Sequence, residues 1–511
     1  MRVINPSAGA DSVKLYISYR YWDRANRDST VAVKIGNNTS TWRLLYYDTG
    51  PIKRIIYPAT VNMFERYNLT PRNFVASVID SLNGTPRFRH IYTYNQVGDR
   101  SSDSLLSTKP GLSTVQGKIR WNYDNIRRLT ATRYPSSIAG GDSAIYAYDA
   151  MGNRDSKTSG GSTNTYSYNL NNNQMSGEGG NAYTYDANGN LIQKSTVTEE
   201  MFDYSHDFEN RLTKVKQLTT SDSVRFEYDG LGQRSRKVGL TDTTRYTWDG
   251  LYPVVEWKNN GKLKQSFIYA NGLLLGLIDS TLYTNRRFFV LHDGLGSSVC
   301  MTNDSARIVR SLIYSDFGET LVDTTASNTP NLNRLYAGYS WDGTPDNSYW
   351  MKYRQTYDPT VGRFGQEDPF LRIGFLHRLK SCIPCAQIQA PLRMEFTDNP
   401  QFLNPYLYVL NNPTNDIDPD GLQAKKEIKL FKWMKERYKD KIKGDVSHLE
   451  NCKKYAQGLA VYGENAHDPN VWADCNACCM DVFDNMCPTK GFLDHCFAEC
   501  TKEHRAIKKP W

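Results

Sequence analysis

Between residues 90 and 320 the chain alternates two kinds of segment. Short runs place an aromatic or aliphatic side chain at every second position, and stretches rich in Asp, Asn and Gly separate them. A period of two is the signature of a half-buried strand, so the pattern predicts a succession of strands joined by tight turns. The runs share one phrase: an aromatic, any residue, Tyr, Asp or Asn, a Gly- or Asn-rich turn, then Arg or Leu. It occurs from Tyr92 to Gly98, from Tyr146 to Arg154, from Tyr166 to Asn169, from Tyr183 to Leu191, from Phe226 to Arg234 and from Tyr246 to Gly250, with degenerate copies from Phe267, Leu291 and Ile313. The anchoring rings fall at Tyr148, Tyr168, Tyr185, Tyr228, Trp248, Tyr269, His292 and Tyr314, about 20 residues apart as in a repeat architecture. The wider gap after Tyr185 holds a further copy at Asp203, Tyr204, His206 and Asp207.

One copy shows the physics. Tyr183 and Tyr185 lie two apart and project to the same face of a strand. Asp186 bonds its own downstream backbone, Gly189 takes a positive φ, and Asn190 tolerates the left-handed region. The chain then reverses into a second strand carrying Leu191 and Ile192. Each copy is thus predicted to be a β-hairpin, which is marginal alone in water. Stacking side by side buries the ring face and pairs the strand edges.

Composition agrees. Apolar residues make up 39% of the 511 residues while aromatics reach 12%, with 34 Tyr against 19 Phe. Tyr is a strand former with a wet end, which suits half-buried sheets better than a dry helical core. No apolar run approaches the length of about 18 residues that an ordinary transmembrane helix needs. The net charge of +8 is mild for this length and fits a soluble surface. The first residues, MRVINPSAGADS, contain no apolar signal-peptide core. Sec export of the chain as it stands is not expected, and the chain fits equally the C-terminal piece of a longer protein.

The pattern Tyr-x-Tyr-Asp-x-x-Gly-Asn-x-Leu resembles the YD repeats of Rhs-type proteins, teneurins and the C component of ABC toxin complexes, over residues 90–422. The resemblance implies a mostly β fold, a long sheet of YD-repeat hairpins spiralling into a cocoon-like shell. Residues 1–89 form a divergent β-rich N-terminal region and 90–333 the repeats. Residues 334–370 and 404–422 contain Met351-Lys352-Tyr353-Arg354, Tyr357-Asp358, Asp368-Pro369, Asn404-Pro405 and Asp418-Pro419-Asp420-Gly421-Leu422. They resemble the Rhs repeat-associated core, so 334–422 is assigned to that domain with an insertion at 371–403.

In that family the core is an aspartyl autoprotease that cuts after the Leu of Asp-Pro-x-Gly-Leu. Carried over, the scissile bond is Leu422–Gln423, the catalytic carboxylates are Asp368 and Asp418, and Arg354 is the upstream Arg. Two carboxylates sharing a proton serve as base for water and acid for the leaving amine, and an Arg holds one of them ionised. Asp-Pro is also a turn signal, so turn capping is the competing reading of both aspartates. Two departures count against catalysis. Gln355 is an extra residue, and a one-residue slip in a strand would turn Arg354 to the wrong face unless a bulge absorbs it. The insertion is longer than usual and carries Cys382 and Cys385, read as a surface loop ahead of a metal site.

Beyond Leu422 the repeat phrase stops. Residues 423–511 form the variable C-terminal domain, expected to be small, Cys-rich and α-helical. Between Lys425 and Lys443 there are nine Lys/Arg and three Asp/Glu, a solvated helix face or a surface for nucleic acid or anionic membrane. Seven of the ten cysteines fall in this tail. Cys475 and Cys479, like Cys496 and Cys500, lie four apart on one helix face. These four are the disulfide candidates in a stapled helical hairpin, with zinc binding and free thiols as the rivals. Disulfides would suit an oxidising destination. The tail shows no nuclease, deaminase or protease signature.

The expected function is a polymorphic-toxin-type shell that encloses the tail as cargo and releases it by autoproteolysis after Leu422, secreted or at the cell surface. Its implied partners are that cargo, a cognate immunity protein and a secretion apparatus. No metal, cofactor or membrane span is expected. The alternatives are a non-catalytic adhesive protein whose rings bind carbohydrate, and a truncated remnant.

Overall fold

A computed structural model of the chain describes residues 2–4, 15–21, 27–35, 37–111, 113–138, 143–282, 286–341, 343–369 and 400–422. The chain divides into two compact units. One contains Met1–Asp229, Gln233–Glu367 and Asn404–Gly421; the other contains Gly230–Gly232, Asp368–Leu403 and Leu422–Trp511. In the second, the described part is Gly230–Gly232, Asp368, Pro369, the 3-10 turn Pro400–Leu403 and Leu422. The expected helical domain at 423–511 and most of the insertion at 371–403 lie outside the described residues.

The first unit is a single 29-stranded antiparallel sheet, running from Arg2–Ile4 to Thr320–Thr325, in which each strand pairs with the next in sequence. The predicted copy is a hairpin of Asn181–Tyr185 and Leu191–Ser195. Tyr183 is buried and Tyr185 half-buried on one face, while Ala182 and Thr184 are exposed. Asp186 Oδ1 accepts the N–H groups of Asn188 and Asn190, both at 2.8 Å. Gly189 has φ +78° and donates its N–H to the Asp186 carbonyl. The left-handed residue of this turn is Gly189, whereas Asn190 acts through its side chain. Its Nδ2 donates to Asp186 Oδ2 and to Asn210 Oδ1 of the next hairpin, each at 2.9 Å. An amide serves both ends because it carries two N–H donors.

The ring positions do more than pack. Tyr94, Tyr123, Tyr148, Tyr168, Tyr228 and Tyr314 each end a strand, and each hydroxyl donates to the carbonyl of a residue that begins an earlier strand: Val75, Arg100, Leu129, Arg154, Leu212 and Ser298. Trp248, one residue short of its strand's end, donates its indole N–H to the Arg234 carbonyl. These bonds tie successive hairpins just beyond the last ladder pairs, where a bulge has shifted the register. His206 ends its strand in the same way, but both ring nitrogens are buried with no partner among the described residues, and burial pushes its pKa down to about 4.

Strands Leu263–Ala270, Leu273–Asp279, Arg286–His292 and Ser298–Asn303 are buried on both faces. Their runs LLLGLI and FFVL are continuous rather than alternating, as a doubly covered strand requires. One cover comes from the beginning of the same sheet. Trp42 packs on Phe289 at 5.8 Å, the Tyr57 hydroxyl donates to the Val290 carbonyl at 2.5 Å, and Thr302 meets Met63. The sheet therefore folds back on itself across more than two hundred residues of sequence.

After the meander comes a small sheet of Ser340–Trp341, Tyr349–Trp350, Tyr357–Asp358 and Arg363–Phe364. Its rings cluster with Tyr336, Tyr339 and Tyr408, with Tyr357 and Tyr408 centroids 4.6 Å apart. Polar side chains of this segment hold hairpin turns distant in sequence: Tyr357 donates to Phe317 O, Tyr406 to Gly189 O, Asn411 to Gly152 O, and Asn415 accepts from Arg100 N. Among the described residues no helix is long and apolar enough to cross a membrane.

Candidate self-cleavage site

Arg354 sits in an irregular segment between Trp350 and Tyr357. Its side chain is fully buried and all of its nitrogens are used. Nη2 donates to Asp418 Oδ2 at 2.6 Å, Nε to the Gly421 carbonyl at 2.5 Å and Nη1 to the Pro405 carbonyl at 3.2 Å. The guanidinium lies 3.5 Å from the centroid of Phe364, a cation–π contact strengthened by the exclusion of water. Planarity and a fork of five donors allow one side chain to bind a carboxylate and two carbonyls at once; Lys could not reproduce this.

Asp418 is also fully buried, and both its oxygens accept: Oδ1 from the Gly421 N–H at 3.0 Å and Oδ2 from Arg354. Its own N–H donates to the Tyr339 hydroxyl at 2.9 Å, which in turn bonds the Tyr408 hydroxyl. Burial and the nearby Asp418 charge push the Tyr339 hydroxyl well above its ordinary pKa, so it stays protonated. Gly421 takes φ +90°, and a Cβ there would lie 3.0 Å from the Arg354 backbone nitrogen. The Asp-Pro-x-Gly order thus has a steric basis: Asp418 turns the chain back, and the glycine lets the turn lie against Arg354.

The extra Gln355 does not displace Arg354, correcting the concern raised by the spacing. The segment is not a strand, so the period-two slip has nothing to act on. Gln355 is itself buried and wired in: its N–H donates to Gln366 Oε1 at 2.6 Å, its Nε2 to Lys352 O, and its Oε1 accepts the Leu212 N–H.

Of the sequence-predicted residues, the fold brings Arg354 and Asp418 together with Gly421. Asp368 is buried and belongs to the second unit, as does half-buried Leu422. Gln423, Cys475, Cys479, Cys496 and Cys500 lie outside the described residues. Tyr339 and Tyr408 were not singled out from sequence: a Tyr in a ring-rich stretch reads as packing, and nothing in its spacing marks a hydroxyl aimed at Asp418.

A meander of tandem Tyr-Asp-Gly hairpins, followed by a tyrosine-lined segment with a buried Arg–Asp pair, defines a YD-repeat β-sheet protein. The teneurin YD-shell family model matches residues 101–373, more than half of the 511 residues, and the chain belongs to that family. The chain is 26% identical to the tRNA nuclease WapA of Bacillus subtilis strain 168 over 283 residues, 54% of this chain and 11% of that protein. It is 26% identical to double-stranded DNA deaminase toxin A of Burkholderia cenocepacia over 309 residues, 54% of this chain and 20% of that protein. The crystal structure of TcdB2-TccC3-Cdc42 matches with a TM-score of 0.61 at 17% identity, over 82% of this chain and 21% of that one. The Tc holotoxin pore of Photorhabdus luminescens matches with a TM-score of 0.60 at 17% identity, over 81% and 20%. The chain thus spans between about a tenth and about a fifth of the length of these relatives, and the solved structures share its fold.

Proposed function

We propose that this chain is a toxin-type YD shell that encloses residues 423–511 and frees them by cutting its own backbone after Leu422. The observation that carries the reading is the clamp of Arg354 on both Asp418 and the Gly421 carbonyl. One guanidinium fixes a carboxylate and the peptide next to the expected scissile bond, which is the positioning a hydrolytic site needs. In the proposed reaction one carboxylate of the Asp368/Asp418 pair takes a proton from water, and the oxygen adds to the Leu422 carbonyl carbon. Collapse breaks the bond to the Gln423 nitrogen, which receives a proton from the other carboxyl group. The products are a Leu422 carboxylate and a new amino terminus at Gln423. Asp418 already accepts two N–H donors, so the proton for the leaving amine is assigned to Asp368.

Enclosure is supported by the sheet folding back on itself and by the likeness to Tc toxin structures. The relatives bear names with different chemistries, a tRNA nuclease and a double-stranded DNA deaminase toxin, so the tail is read as an effector with its target open. A cognate immunity protein and export to the cell surface or beyond belong to the same reading. On a denaturing gel the purified chain is expected to give a tail-sized band, and Asp368→Asn or Asp418→Asn to restore full length. A single uncut band from the unsubstituted chain would contradict the proposal.

A further inference from the structure

The turn at 207–211 joins strands Met201–His206 and Leu212–Gln217, and the Asp207 carboxylate satisfies the N–H groups of Glu209 and Arg211 within it. Two main-chain groups beside this turn find partners far along the chain instead. The Leu212 N–H donates to Gln355 Oε1 at 3.1 Å, and the Asn210 carbonyl accepts from Gln366 Nε2 at 2.6 Å. The Gln355 N–H donates to Gln366 Oε1 at 2.6 Å, so these bonds form a circuit through two amide side chains and back to the turn. The remaining amide group is used as well: Gln355 Nε2 donates to Lys352 O at 2.8 Å. Both glutamines are buried. A buried polar network in which every member is paired fixes one geometry. The hairpin before this one is met differently. Leu191 also begins the strand after a turn, but its N–H goes to a main-chain carbonyl, that of Gly365.

The two glutamines stand next to the groups assigned to the cut. Gln355 follows Arg354, whose guanidinium holds Asp418 and the Gly421 carbonyl, and Gln366 precedes Asp368 by two residues. We propose that Gln355 and Gln366 are positioning residues for cleavage after Leu422, anchoring the Arg354 segment and the approach to Asp368 on one turn of the repeat sheet. The inference rests on the proposed autoproteolysis and extends its apparatus into the wall of the sheet. Cleavage is thereby tied to a formed hairpin, because without the turn the two segments lose their common anchor. Packing alone would be served by an apolar side chain of similar length. Closing the circuit needs a group that accepts at one atom and donates at another, which an amide does without carrying charge.

The test follows cleavage of the full chain during cell-free synthesis, sampled over time on a denaturing gel. Gln355→Met and Gln366→Met keep side-chain length and remove the amide, and each is expected to slow the cut about tenfold or more, since a small misplacement is enough. Tyr148→Phe removes a hydroxyl bond elsewhere in the sheet and should cut at the unsubstituted rate, which separates positioning from a general loss of stability. Gln366→Glu gives a second readout. Ionised, the carboxylate accepts from the Gln355 N–H but repels the Asn210 carbonyl; protonated, its O–H donates to that carbonyl. Its rate relative to the unsubstituted chain should therefore rise as the pH is lowered. Unchanged rates in both methionine variants, equal slowing in Tyr148→Phe, or a relative rate in Gln366→Glu that is flat with pH would each overturn the proposal. An unsubstituted chain that stays uncut is a distinct result: it overturns the autoproteolysis reading itself, and this proposal with it.

Discussion

The hydroxyl of Tyr148 donates to the Leu129 carbonyl at 2.8 Å, and the same bond recurs at strand ends along the meander. Tyr148→Phe keeps the ring and removes only this bond, so a loss of about 1 kcal/mol is expected from urea unfolding; an unchanged midpoint would show the hydroxyls to be incidental. The sequence exposed the ring positions but not this bond, because alternation reports which face a side chain takes and not what its tip touches. A second residue-scale case lies between the two layers of the folded-back sheet. Glu65 and Asp80 are directly opposite on neighbouring strands, and both are buried. Glu65 accepts from the Tyr57 and Tyr67 hydroxyls and the His292 N–H, while neither Asp80 oxygen has a partner among the described residues. Burial, Glu65 and Asp293 together push the Asp80 pKa well above its ordinary value. With the folded value above the unfolded one, the contribution is full below about pH 4 and is lost as pH rises through the folded value. Asp80→Asn removes that dependence, so its urea midpoint should gain on the unsubstituted chain as pH rises. Parallel curves would contradict the assignment.

At the scale of the hairpin, the turn chemistry was readable because Asp, Gly and Asn each solve a local backbone problem. Gly189 solves two. Its φ is +78°, and a Cβ there would fall 2.4 Å from Glu367. Gly189→Ala is expected to cost about 1–2 kcal/mol from the left-handed backbone alone, with a further loss as Glu367 moves, measured as a lower unfolding midpoint. Less readable was which hairpins would be covered on both faces. The copies from Phe267 and Leu291 look degenerate because their polar faces have become apolar. The reason is a long-range contact: Trp42, Tyr57 and Met63 return to cover them, and local pattern does not say what will arrive on the other side.

For the molecule as a whole, motif order named Arg354 and Asp418, which the fold brings within 2.6 Å of each other, while the worry over Gln355 came from assuming a strand where the chain is irregular. Removing one partner of a fully buried ion pair strands the other, so Arg354→Ala should destabilise the first unit by about 3–5 kcal/mol. Arg354→Lys should restore part of that stability but not cleavage, since an ammonium cannot hold Asp418 and the Gly421 carbonyl in the same geometry. Recovery of full cleavage in Arg354→Lys, scored by gel, would reduce Arg354 to a structural ion. Enclosure and cutting are tested together by gel filtration with mass spectrometry of the eluted chains. Under native conditions the account predicts one peak holding both pieces, the smaller starting at Gln423, and separation only in denaturant. An intact chain, or a cleaved tail that elutes alone in native buffer, would contradict it.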